Sequence, residues 1–203
     1  MRGRPHRGLI VALVLTGSTA SGAYLAYRSL LAGIEKYGAT NPEPLPAVNL
    51  SPGNQKKLHA RMAAFVTALE THRASSPLVL TADEINALIA VAPGLGGKVW
   101  VEIESNQVRA RFCLPLEDLG FPQLRGSFLN GTSVLTLSIV EGGLVVSPEA
   151  IDVRSGRLPE AVMARLRKAN LARLAFRDPR VARSLRRLGG IEVRQGTVEI
   201  KAR

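Results

Sequence analysis

The sequence predicts an α+β protein whose antiparallel sheet of about five strands is covered by a helical C-terminal region. Three patterns carry that reading. Between Lys98 and Arg154 apolar residues alternate with polar ones at a period of two, the signature of strands with one buried face. Before and after that block the apolar residues recur at helical spacing. Ahead of everything stands Gly8–Tyr27, twenty residues without a charge, flanked by Arg2, Arg4 and Arg7 on one side and Arg28 on the other.

A helix of that length covers about 30 Å, one bilayer core. The sequence therefore predicts a basic cytoplasmic tail over 1–7, a transmembrane anchor over 8–27, a linker over 28–50 and an extracytoplasmic α+β domain over 51–203. A cleaved signal peptide is the alternative, with Ser21-Gly22-Ala23 as the small-residue site. The apolar character resuming at Tyr24, Leu25 and Ala26 favours the anchor. Either way the expected location is the inner (cytoplasmic) membrane or its outer side, with the domain periplasmic.

Gly38–Asn49 contains three prolines and no apolar period, and reads as a semi-extended spacer. Ser51-Pro52 then starts a helix, with Ser as N-cap and Pro in the first turn; Leu58, Met62, Phe65, Val66 and Leu69 mark its apolar stripe to about Thr71. In Leu80-Thr81-Ala82-Asp83-Glu84-Ile85, Thr81 and Glu84 form a capping box, with Leu80 and Ile85 as the flanking staple. That helix runs through Asn86, Leu88 and Ile89 and stops near Pro93-Gly94.

In the sheet block, Val99, Val101 and Ile103 alternate with Trp100, Glu102 and Glu104, and Val108, Ala110, Phe112 and Leu114 alternate with Arg109, Arg111 and Cys113. Arg125–Leu129 reads as a short strand ending in an Asn130-Gly131 hairpin turn. Ser133–Val140 and Leu144–Val146 follow, and the strand pattern resumes after Pro148 at Ile151 and Val153. Asn130-Gly131-Thr132 also matches a glycosylation sequon, although a hairpin is reason enough for those residues. Helical spacing returns with Leu158, Val162, Met163, Leu166 and Leu174, and a second helix from Asp178-Pro179 ends at Gly189-Gly190. Ile191–Arg194 and Thr197–Ile200, joined by Gln195-Gly196, form a terminal strand pair.

Composition narrows the function classes. Apolar residues make up 46% of the chain but aromatic ones only 4%, so the core is aliphatic. Cys113 is the only cysteine, which excludes an intramolecular disulfide and a thiolate metal site, and its strand setting reads as a small buried hydrophobe. No GxSxG, HExxH, CxxC or phosphate-loop motif is present, and three histidines, one in the basic tail, do not build a triad or a metal site. His59 and His72 read as surface residues. Asp83 and Glu84 read as first-turn acids favoured by the helix dipole rather than an acid–base pair. A non-enzyme without cofactor or metal is the expectation.

The net charge of +11 is local: from Arg154 to Arg187 eleven basic residues face two acidic ones. Arg165, Arg167, Lys168, Arg173, Arg180, Arg183, Arg186 and Arg187 form a basic helical face there, read as a solvated surface or a contact for anionic headgroups or a partner protein. Its place after an export segment, without interleaved aromatics, argues against nucleic acid.

The order of parts, with Leu80-Thr81-x-x-Glu84-Ile85-Asn86-x-Leu88-Ile89 and Gly156-x-Leu158-Pro159, resembles the YpmS and LmeA-like group of membrane-anchored envelope proteins over roughly Val79–Lys201. That resemblance implies a fold akin to the tubular lipid-binding proteins: a curled antiparallel sheet packed on a long C-terminal helix, with an apolar groove between them for lipid tails. The Ser51–Thr71 helix and the strongly basic C-terminal region depart from the group's pattern. The expected function is binding of phospholipid, an acyl chain or another apolar ligand between sheet and helix, in a groove lined by Val101, Ile103, Phe112, Leu137, Met163 and Leu166. The alternative is an interaction module that docks onto an envelope protein through its basic helices.

Overall fold

The computed structural model describes residues 36–118, 122–141, 143–153, 156–158, 160, 163–164, 167 and 187–203. The first helix, α1, spans Pro52–Thr71. Ser51 Oγ accepts the Asn54 N–H at 3.3 Å, and Pro52 sits in the first turn, where no helical N–H bond is lost. The helix ends at His72, whose left-handed φ of 55° turns the chain away. The second helix, α2, spans Ala82–Val91 and carries the predicted capping box. Thr81 Oγ1 accepts the Glu84 N–H at 3.3 Å while the Glu84 carboxylate accepts the Thr81 N–H at 3.1 Å.

The strands are β1 (Leu78–Thr81), β2 (Val99–Glu104), β3 (Gln107–Pro115), β4 (Phe128–Val140), β5 (Gly143–Val153), β6 (Gly156–Arg157), β7 (Leu188–Arg194) and β8 (Thr197–Ala202). They form two antiparallel sheets, one of five strands in the order β2-β3-β4-β5-β6 and one of three in the order β1-β8-β7. The protein is therefore α+β. The five-stranded sheet is an open meander ending at β2 and β6, and no curling around a helix is seen among the described residues.

Two local expectations are corrected. Asn130-Gly131 is not a hairpin turn, and no strand begins at Arg125; β4 runs without a break from Phe128 to Val140. Gly131 is absent from the positive-φ positions, so it serves as a strand residue pressed against its neighbours, where a Cβ would meet Asp152 O at 2.5 Å and Phe112 Cζ at 2.9 Å. Asn130 has its amide occupied by the N-terminal segment: Nδ2 donates to Asn41 O at 2.8 Å and Oδ1 accepts the Glu43 N–H at 3.3 Å. Nearly buried and so engaged, Asn130 is a poor sequon acceptor. Leu80 and Ile85 share one apolar cluster, as the staple predicts, and Leu80 is in addition a strand residue, since β1 pairs with the C-terminal strand, Leu78 opposite Ile200 and Leu80 opposite Val198.

The segment expected to be a spacer is tied to the sheet in its first half, at Ala39, Asn41 and Glu43. Ala39 exchanges two 2.8 Å backbone bonds with Phe128, and Tyr37 packs against Phe112 and its neighbours. The expected transmembrane segment Gly8–Tyr27 and nearly all of residues 159–186, the expected long C-terminal helical region, lie outside the described residues. Among the described residues no helix is long and apolar enough to cross a membrane.

Candidate functional site

The apolar face of the five-stranded sheet follows directly from its register. Directly opposed residues in an antiparallel ladder share a face. Val99, Val101 and Ile103 lie opposite Phe112, Ala110 and Val108, which lie opposite Gly131, Ser133 and Leu135 of β4. Farther along, Leu135, Leu137 and Ile139 face Pro148, Val146 and Leu144 of β5. On this face β5 contributes the even-numbered Leu144, Val146 and Pro148 and then the odd-numbered Ile151 and Val153, which in a regular strand would fall on opposite sides. The ladder slips there, with Val134 opposite Ala150 but Leu135 opposite Pro148, so Glu149 is the extra residue of a bulge and both halves keep one face.

That face is covered in parts. Near the β2–β3 turn, Val101 and Val108 pack on Val198 of β8, with Ile191 and Val193 of β7 and Ile85 and Ile89 of α2 around them. At the other end of these strands, Phe112, Ile151 and Val153 pack on Leu158 and Met163. A third cluster joins α1 (Leu58, Phe65, Leu69) to Leu78, Leu80 and Leu188, with Ile139 and Leu144 at the far end of β4 and β5 leaning on it. Among the expected groove residues, Val101 is 5% exposed, Phe112 8% and Met163 1%, so protein side chains already enclose them. Ile103 and Leu137 are half-buried, as are Leu135 and Val146 beside them; Leu166 lies outside the described residues. The six residues thus do not form one lining: Val101, Ile103 and Leu137 belong to one cluster, Phe112 and Met163 to another.

Asn86 holds the edge of this sheet, a role the sequence reading missed. It is 1% exposed on α2, where its Nδ2 donates to Val101 O at 2.8 Å and its Oδ1 accepts the Val101 N–H at 2.7 Å. The amide behaves as one more strand residue, satisfying the outer backbone groups of edge strand β2 where α2 covers them. The available signal was a lone amide among Ile85, Leu88 and Ile89, the one polar residue of the helix after its first-turn acids.

The two basic-face residues with described side chains are both engaged within the chain. Arg167 donates to the bulged Glu149 carbonyl at 3.2 and 3.1 Å and pairs with Glu160. Arg187 donates to Leu69 O and Glu70 O at 2.8 Å each, supplying cations to the carbonyl end of α1, which has no basic residue of its own there. Arg165, Lys168, Arg173, Arg180, Arg183 and Arg186 lie outside the described residues.

Two surface cavities flank the sheets. One of about 500 Å³ runs between α1 and the strand before α2, lined by Arg61, Phe65, Pro77, Leu78 and Val79 among others. The other, about 570 Å³, lies under residues 41–45 and beside Arg111, Phe112, Thr132 and Asp152. Of the expected groove residues only Phe112 reaches either. Cys113 is buried beneath the N-terminal segment, and burial pushes its thiol pKa up, with the Glu43 backbone N–H partly opposing. His59, His72 and Asp83 are exposed, Glu84 serves the helix cap, and no group of three metal-ligating side chains occurs among the described residues. No family model, curated protein or solved structure matches the chain.

Proposed function

We propose that this chain is a non-catalytic, membrane-anchored envelope protein that binds an acyl chain or a similar apolar ligand on the five-stranded sheet, as the resemblance to YpmS and LmeA-like proteins implies. Gly8–Tyr27 is the anchor, and the domain stands outside the cytoplasm. One observation carries the reading. The ladder puts the apolar side chains of β2 to β5 on one face, and on the turn side of Val101 the side chains of Ile103, Leu135 and Leu137, at the margin of the Val101–Val108–Val198 cluster, and of Val146 are only half-buried. A hydrocarbon chain laid along those residues would gain by leaving water, at about 25 cal/mol per Å² of apolar surface removed. No covalent step is needed. The burial of Val101, Phe112 and Met163 shifts the seat away from those residues and toward the β4–β5 half.

The competing reading, an interaction module with a closed core, draws on that same burial. Mass spectrometry of organic extracts separates the two. The fragment should begin at Lys36, so that the Ala39–Phe128 bridge and the Asn130 contacts are kept, and be exported and purified without detergent. Near-stoichiometric lipid, absent from a control domain prepared in the same way, supports ligand binding. A folded, lipid-free fragment removes it and leaves the interaction module.

A further inference from the structure

The docked strap, residues 37–43, fixes the point at which the domain meets its tether. Ala39 exchanges two 2.8 Å backbone bonds with Phe128 at the start of β4, the Asn130 amide bonds to Asn41 and Glu43, and Tyr37 packs beside Phe112. The fold thus engages the chain from Tyr37, and only residues 28–36 separate the end of Gly8–Tyr27 from it. Those nine residues span about 30 Å at full extension and about 17 Å as a coil. From the Ala39 bridge β4 runs on for 13 residues, which places the β4–β5 turn about 40 Å away. The β2–β3 turn lies on that same far side, because Pro115 opposes Phe128 whereas Val108 opposes Leu135.

We infer that the strap sets the polarity of the domain on the membrane. The end of the five-stranded sheet that carries the strap and the β3–β4 connection faces the lipid surface holding Gly8–Tyr27, and the β2–β3 and β4–β5 turns lie away from it. This rests on the anchor reading proposed above. Bringing the far turns down onto the bilayer would lift the strap end by about 40 Å, more than nine residues can span. The length of the tether and the place where it docks therefore select the chain's own bilayer as the surface met by this end. The ligand seat gains a direction as well. Leu135 follows Phe128 by seven positions on β4, about 24 Å farther from the membrane. An acyl chain held there has left the bilayer, so the protein carries extracted lipid rather than sensing lipid in place.

The test is energy transfer from a cysteine-linked fluorophore to a headgroup-labelled acceptor, on the full chain in phosphatidylcholine vesicles, where no net lipid charge steers the domain. The fluorophore is placed by Gln123→Cys in the β3–β4 connection or by Asn106→Cys in the β2–β3 turn, both exposed positions. Cys113 is buried, and labelling of the otherwise unchanged chain measures its background. Transfer several-fold more efficient from position 123 than from 106 is expected. Inserting about twenty Gly/Ser residues between Glu35 and Lys36 should abolish the difference while leaving the strap docked. Equal transfer from the two positions, stronger transfer from 106, or a difference that survives the insertion overturns the inference. Flotation with the vesicles tests the anchor separately: a chain that does not float removes the anchor reading and this inference with it, whereas a floating chain with equal transfer overturns the polarity alone.

Discussion

Replacing Asn86 by Ala tests the join between α2 and the five-stranded sheet. Asn86 spans the N–H and C=O of Val101 with bonds of 2.7 and 2.8 Å, and both residues are nearly inaccessible to water. Alanine leaves a buried donor and a buried acceptor unpaired, each costing about 1–3 kcal/mol, so the pair costs about 4 kcal/mol. That is a large share of the roughly 5–15 kcal/mol that holds an ordinary domain together. The assay is urea unfolding followed by fluorescence of Trp100, the only tryptophan, which sits on β2 next to Val101. Asn86→Asp adds a sign to the test. A carboxyl keeps the acceptor for the Val101 N–H, but only its protonated form can donate to Val101 O. Burial raises its folded-state pKa above the unfolded value of about 4, so the folded state holds the proton longer. Stability of that variant is then fullest below about pH 4 and falls as pH rises through the raised pKa. A loss under about 1 kcal/mol for Asn86→Ala, or an Asn86→Asp variant with no added pH slope, would refute the argument, because Val101 would then be solvated or paired elsewhere.

Gly131→Ala should destabilise the chain by about 1–3 kcal/mol in the same urea assay, since the new methyl meets Asp152 O at 2.5 Å and the Phe112 ring at 2.9 Å. Leu58→Ala, at a side chain 1% exposed, should cost about 2–5 kcal/mol by the same measurement, whereas an α1 that stands apart from the domain would lose almost nothing. Cys113 should resist iodoacetamide at neutral pH in the native chain and react on unfolding; since burial raises its pKa, the associated stability is intact below the unfolded thiol value and declines as pH rises through the folded one. Arg167→Met should lower stability by less than about 1 kcal/mol, read by thermal unfolding, because the Glu149 carbonyl is exposed and water can take the guanidinium's place; a larger loss would contradict this.

What the sequence makes legible is what short-range chemistry decides. Ser51-Pro52 and the Thr81/Glu84 box start their helices at the expected residues because their caps form within three positions. Period-two alternation likewise located the apolar face, because each strand buries alternate side chains whichever partner it takes. Long-range contacts defeated the local signals elsewhere. Asn130-Gly131 has strong turn propensity, yet Asn41 and Glu43 take its amide and Phe112 and Asp152 fill the space a Cβ would need. β1 is only four residues long and exists through its pairing with β8, more than a hundred residues away. The bulge at Glu149 was written in the parity change between Pro148 and Ile151, but only the ladder reveals how it is absorbed. The candidate site was legible as a face and not as a groove: periodicity selects which side chains are apolar, and says nothing of which of them α2, the three-stranded sheet or Met163 will cover.

The most direct test of ligand binding on the sheet is photo-crosslinking of the full chain in membranes that contain a phospholipid with a photoreactive acyl chain, mapped by peptide mass spectrometry. The proposed seat predicts adducts on the peptides carrying Leu135, Leu137 and Val146, reduced by excess unlabelled lipid. Adducts confined to Gly8–Tyr27, with none on β4 or β5, would contradict it.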